Sequence, residues 1–389
     1  MLFTRNATRS LERPSLAVGL RTLRLIGLWG DRSRRWLRYA LAVVSVLVMI
    51  LPKAFLGSGR TEFDSFARNI AELVFLGENC LSIAIFAFRR KSFERLIDVL
   101  ERIFQQEWPK PLRDEIQLFN RRLNLFARLY AFWITCMVNV FLIVPIASTA
   151  LKLSGSNESE RSNYTLVFEV QFYGLNIRQN LGHYIIYMIF CCLASYSSGI
   201  QSSIKGTVFL IILLYGSKLF ELVEKRISDL KQIKAAAKRH RELREIIEVH
   251  NLALDYLRYL EETISFVLIN QSVNCIIMWC LMLFYVSTNF GPEATNGIML
   301  FFVLVVEMVV YCINGTMISE KAGRVAHAMY EHPWFDDRIE LRRSARFIIQ
   351  RAQKPAGLTA AKFYYVNIQR LGSMCQATYS YYLILKKRF

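Results

Sequence analysis

Residues 181–220 read LGHYIIYMIFCCLASYSSGIQSSIKGTVFLIILLYGSKLF, and whether this stretch crosses a bilayer once or twice decides the fold. As one helix it would be about 60 Å long at 1.5 Å per residue, twice the thickness of the hydrocarbon core. As two spans it would break at the polar QSSIK. The charges downstream arbitrate, because Lys and Arg collect on the cytoplasmic side of membrane proteins. An extra span at 206–220 would carry much of the charge of 225–263 to the outside. We therefore expect one long helix, with Leu181–Ser203 in the membrane and the rest protruding from it.

Working outward, six more runs approach the roughly 20 apolar residues that a span requires: Trp36–Phe55, Asn69–Phe88, Leu129–Ala150, Ile264–Thr288, Gly297–Ser319 and Phe363–Leu385. Seven spans put the segments 1–35, 89–128, 204–263 and 320–362 on one side, with Arg32, Arg34, Arg35, Arg89, Arg90, Lys91, Lys225, Arg226, Lys238, Arg239, Arg241, Arg342, Arg343 and Arg346. The other side has Arg60, Lys152, Arg161 and Arg178. The imbalance predicts a cytoplasmic N-terminus and an extracellular C-terminus. The sequons at Asn157 and Asn163 fall in a loop predicted to be external, where they could be glycosylated; those at Asn6, Asn270 and Asn314 fall in cytoplasm or membrane. The basic start of the chain does not read as a secretory signal.

The bulk composition agrees. The 389 residues are 53% hydrophobic and only 21% charged, with a mean hydropathy of +0.26. The formal charge of +18 lies in blocks between apolar runs, as in membrane loops, rather than in one patch suited to nucleic acid. No linker, internal repeat or low-complexity tract divides the chain. All eight cysteines lie in apolar stretches, which favours small buried hydrophobes over disulfides or zinc. His183, His240, His250, His327 and His332 form no H-E-x-x-H, and there is no G-x-S-x-G, P-loop or G-x-G-x-x-G. We expect neither an enzyme nor a cofactor.

Between 89–128 and 215–262 the chain is charged yet apolar at three- and four-residue spacing, the mark of helices with one dry face. These extensions, and RFIIQRAQKPAGLTAAKFYY (346–365) before the last span, would either bundle into a cytoplasmic anchor or lie on the inner leaflet. Within the membrane, Glu78 and Glu307 call for a pocket, an internal network or structural pairing, although no opposite charge is obviously spaced to meet them. Glu72, nearer the outer end, could simply be wet. The outer halves of spans three, four and six carry Trp133, Met137 and Phe141; Tyr184, Tyr187 and Met188; and Phe301, Phe302 and Val305. With Phe75 and the polar Asn79 of span two, they could line an apolar cavity for a small volatile ligand, or simply pack helices.

The last span is too polar to face lipid all round. One face runs Ser373, Ala377, Ser380, Ile384 and Lys387, small or hydroxylic before one bulky aliphatic and a cation. The neighbouring face, Leu371, Cys375, Tyr382 and Leu385, suits packing. If several copies met around an axis, the first face would line a narrow wettable tube closed by dewetting at Ile384. Lys387 would stand at its outer mouth, or snorkel to headgroups as Lys386 would.

That C-terminal stretch, LGSMCQATYSYYLILKKRF (371–389), resembles the final helix of insect odorant receptors, and length and topology extend the resemblance to the whole chain. It implies an all-α membrane protein of the plasma membrane of olfactory neurons. Domains would be a cytoplasmic segment 1–35, membrane helices and odorant pocket within 36–320, an anchor segment 321–362 and a pore-lining helix and tail 363–389. It further implies a ligand-gated, non-selective cation channel that assembles with a co-receptor as a heterotetramer in membrane lipid, without need of a G protein. The gate falls on Ile384 and the outer pore position on Lys387, with Tyr381 and Tyr382 matching the aromatic pair before the gate. The basic Lys387 and the shorter cytoplasmic loop fit a tuning subunit rather than the co-receptor. Gustatory receptors end in T-Y-five-residues-Q-F; here Leu385 and Lys386 replace Q-F, which counts against that branch. A secondary transporter would use Glu78 or Glu307 for coupling and ideally show an inverted repeat. A G-protein-coupled receptor has the opposite orientation.

Overall fold

The computed structural model describes residues 17–25, 27–29, 35–56, 63–154, 164–168, 170–233, 235–288, 295–336 and 338–388. Asn6, Asn157 and Asn163, and the loop residues Arg32, Arg34, Arg60 and Arg161, lie outside them. The helices are α1 (Ala17–Leu25), α2 (Arg35–Leu56), α3 (Phe63–Phe88), α4 (Arg90–Gln105), α5 (Lys110–Ser154), α6 (Leu181–Ile204), α7 (Leu210–Asp229), α8 (Ala236–Thr288), α9 (Thr295–Glu331), α10 (Ile339–Ala352) and α11 (Ile368–Arg388). Among the described residues, six stretches are long and apolar enough to cross a bilayer. Helix α11 is not among them, although its 21 residues span about 31 Å.

Residues 181–232 do form one rod. Helices α6 and α7 are joined without a break by a π-helical turn, Lys205–Phe209, and a 3₁₀ turn at Leu230–Gln232 ends the run. The π turn coincides with a close approach of α5: a Cβ on Gly206 would sit 2.1 Å from the ring of Tyr130. A wider turn with an extra residue is how a helix absorbs such a mismatch. The rod is the most deeply buried of the six candidate spans, with α9 packed along α7 and α2 and α5 along α6.

The extensions find their partners within the chain. Helix α4 buries Phe93, Leu96, Ile97, Leu100, Ile103 and Phe104, spaced at three and four residues, against α8. Its end is held by the Trp108 indole, which donates to the Ile103 carbonyl at 3.0 Å. Charges pair between helices: Lys218 with Glu115, Lys321 with Glu221, and Arg226 with Glu245 at 2.6 Å. Helix α5 runs unbroken for 45 residues and α8 for 53, so amphipathic extension and apolar span are one element in each.

The expectation of a helical run from Arg346 into a last span starting at Phe363 needs correction. Helix α10 stops at Ala352, a two-stranded hairpin pairs β1 (Thr359–Ala360) with β2 (Tyr364–Tyr365), and α11 begins only at Ile368. Pro355 disfavours helix at the residue before it. Ala361 and Lys362 take positive φ of 48° and 65°, which matches a type I′ hairpin turn. Side-chain and backbone bonds fasten the hairpin: Ala361 N–H donates to the Ser265 carbonyl at 3.1 Å, Thr359 Oγ1 to Glu261, and the N–H of Ile368 to Thr316 Oγ1 at 3.0 Å. Helix α11 then packs on α8 and α9.

Candidate functional site

A cavity of about 200 Å³ opens between five helices and one loop residue. Its wall is Glu72, Phe75 and Leu76 of α3; Ile134, Met137, Val138, Val140 and Phe141 of α5; Phe168; Ser195, Ser198, Gly199 and Ser202 of α6; Met282 and Tyr285 of α8; and Val303 of α9. The α6 contribution is a stripe at i, i+3, i+4 and i+7, one face of a helix. Small residues there let α5 come close; a Cβ on Gly199 would meet Val138 at 2.7 Å. Aromatic and aliphatic side chains make the rest of the wall, apart from Glu72, which pairs with the buried Lys53. The expectation that Glu72 is merely wet is therefore replaced by an ion pair.

Of the eleven residues proposed from the sequence, the wall holds Phe75, Met137 and Phe141. Asn79 is buried beside it: its amide donates to Ser198 Oγ at 3.4 Å and its carbonyl accepts from Ser202 Oγ at 3.3 Å. Tyr184 and Tyr187 lie in a second, smaller core under the segment from Tyr164 to Ile177, together with Met188. The Tyr187 hydroxyl both donates to the Phe168 carbonyl and accepts from the Phe168 N–H, each at 2.8 Å, and Tyr184 donates to the Thr165 carbonyl at 3.2 Å. These tyrosines hold the segment that delivers Phe168 to the cavity. Trp133 lies by the ring of Tyr130, Phe302 is exposed, and Val305 packs on the main core. Sequence reasoning missed Phe168 and the α6 stripe, although SYSSGIQS (195–202) carries its spacing openly.

Three residues along from Ser202, the π turn starts a buried ionic cluster. Lys205 Nζ reaches Glu78 Oε2 at 2.7 Å, Gln271 Oε1 at 3.1 Å and Glu307 Oε1 at 3.6 Å. Ser82 Oγ donates to Glu78 at 2.7 Å, and Tyr311 Oη and Gln271 Nε2 donate to Glu307 at 2.9 and 3.2 Å. The carboxylates that lacked an obvious partner in the sequence thus share one ammonium. The cluster ties α3, α8 and α9 to the rod at the point where its helix changes pitch.

In α11, Met374 and Thr378 are buried, and Leu371, Tyr382 and Leu385 are half-buried. On the opposite face Ser373, Ser380, Ile384 and Lys387 are exposed and Ala377 is half-buried; Cys375, expected to pack, is exposed. Lys386 Nζ sits 6.0 Å from the ring centroid of Tyr382. Among the described residues no group of His, Cys, Asp or Glu could hold a metal ion.

The 7tm Odorant receptor family profile matches residues 63–379. Odorant receptor 13a of Drosophila melanogaster is 20% identical, over 94% of this chain and 93% of that one. Among solved structures, the olfactory receptor OR5 from Machilis hrabei in complex with eugenol has a TM-score of 0.80 at 14% identity, covering 96% of this chain and 98% of that one. A second structure of OR5 from Machilis hrabei gives a TM-score of 0.77 at 15% identity, with 95% of this chain and 96% of that one covered.

Proposed function

The chain belongs to the 7tm odorant receptor family, and we propose that it is the ligand-binding subunit of an odorant-gated, non-selective cation channel. It is a multi-pass membrane receptor and not an enzyme. The finer reading is a cytoplasmic N-terminus, an extracellular C-terminus and glycosylation at Asn157 or Asn163. In it the chain assembles with a co-receptor into a heterotetramer in the plasma membrane of olfactory neurons. The related OR5 structure with eugenol supports a small aromatic or hydrophobic volatile as the class of ligand.

The observation that carries this reading is the apolar cavity between α3, α5, α6, α8 and α9. A cavity of about 150 Å³ with apolar walls suffices for benzene, so this one suits a ring with a few further atoms. Ligand in the cavity bears on the α6 stripe, which continues directly into Lys205 and its partners on α8 and α9. Those two helices are the ones α11 packs against. A ligand that fits the cavity better when α8 and α9 have shifted favours that state by its difference in affinity alone. The face of Ser373, Ala377, Ser380, Ile384 and Lys387 then widens around a shared axis.

Co-expression with an insect odorant co-receptor and electrical recording against a panel of small volatiles tests the proposal. Evoked cation currents that need both subunits are expected, and filling the cavity from its α9 side with Val303→Phe should abolish them without loss of surface protein. A panel that evokes no current from well-expressed heteromers defeats the reading.

A further inference from the structure

We infer that Ser195 is the hydrogen-bonding contact for the ligand and selects small neutral molecules that carry an acceptor oxygen on a hydrocarbon body. The inference rests on the receptor reading above and names the chemistry its cavity prefers. The wall has few polar side chains, and each of the others has at least one partner. Glu72 pairs with Lys53, Ser198 accepts from Asn79, and Ser202 donates to Asn79; Tyr285 also has an interaction of its own. Ser195 is 6% exposed, and its hydroxyl has no hydrogen-bond partner.

A buried hydroxyl left unpaired is costly, and whatever pairs it recovers that cost. Water would need two or more polar partners to settle in the cavity, and the hydroxyls of Ser198 and Ser202 already bond Asn79. A ketone, aldehyde, ester or ether oxygen needs only one donor, while its carbon body fills the space against Phe75, Met137, Phe141 and Phe168. A carboxylate or an amine would lose its hydration against a wall whose one ion pair is already closed. The polarity of the site is thus matched to a single oxygen.

The test uses acetophenone and α-methylstyrene, which share a shape and differ by C=O against C=CH₂. Thermal stabilisation of the purified full chain by each is measured across concentration. One neutral hydrogen bond predicts a preference for the ketone of roughly three- to tenfold. Ser195→Ala should abolish the preference by weakening the ketone alone, and Ser195→Thr, which keeps the hydroxyl, should retain it. Equal affinity for the pair, binding of neither, or a preference that survives Ser195→Ala overturns the inference. Because this readout is binding alone, it stands apart from the electrical panel: a silent panel defeats the channel reading, and indifference to the oxygen defeats only the role of Ser195.

Discussion

Lys205 is the residue on which the interior of the bundle turns. It is almost wholly buried with Glu78, and a buried ion pair is worth little beyond an apolar substitute while a half-pair is expensive, about 3–5 kcal/mol. Lys205→Met should therefore lower the thermal midpoint of the purified receptor sharply, and adding Glu78→Gln should recover part of the loss. A double variant no more stable than the single one would show that Glu78 is not the partner that matters. The cluster also bears on the transporter alternative, since the two membrane carboxylates such a mechanism would use already share an ammonium. None of this pairing was legible in the sequence. Lys205 lies 127 positions from Glu78 and closes a polar QSSIK that reads as the end of a span. The carboxylates were legible as anomalies, because a charge in an apolar run always is; the partner was not, because pairing is a property of packing.

Two short elements position the cavity and the last helix, and both escaped the sequence pattern. The segment carrying Phe168 has no helical or strand period to betray it, and its tyrosine contacts looked like cavity lining. Tyr187→Phe removes both hydrogen bonds to the Phe168 backbone, each worth about 1 kcal/mol. Amide exchange at Phe168 should speed up several-fold and ligand potency should fall; unchanged exchange would mean that ring packing alone holds the segment. The hairpin before α11 was hidden because GLTAAKFYY is apolar and free of proline, so it reads as helix. Its seat is Gly315 of α9, where a Cβ would come within 2.0 Å of the Val366 carbonyl oxygen. Backbone cannot swing aside as a side chain can, so Gly315→Ala should destabilise the protein. Gly323 in the same helix has nothing within 4 Å, and Gly323→Ala should stabilise by about 0.5–1 kcal/mol. Thermal midpoints moving in the same direction would refute the close contact.

At the scale of the molecule, the long rod and its neighbours were readable because charge asymmetry and apolar length are sums over many residues and survive local error. Three of eleven cavity candidates reached the wall because a span's rotation about its axis depends on neighbours that the sequence does not identify. The last helix shows the opposite balance. Its buried side, with Met374 and Thr378, rests on α8 and α9, so the face from Ser373 to Lys387 is turned away from the rest of the chain. Ile384 is 61% exposed there, between small residues and a cation. If copies of α11 converge on one axis, a ring of isoleucine expels water when tight and blocks ions without any charged barrier. Serine at that position keeps the ring wet in its closed geometry, so Ile384→Ser co-expressed with a co-receptor should conduct without ligand. If α11 instead faced lipid, the same change would leave basal current at zero and cost only surface expression. Lys387→Glu separates the remaining two roles: a residue at the pore mouth alters the reversal potential in divalent solutions, whereas a headgroup anchor leaves it where it was.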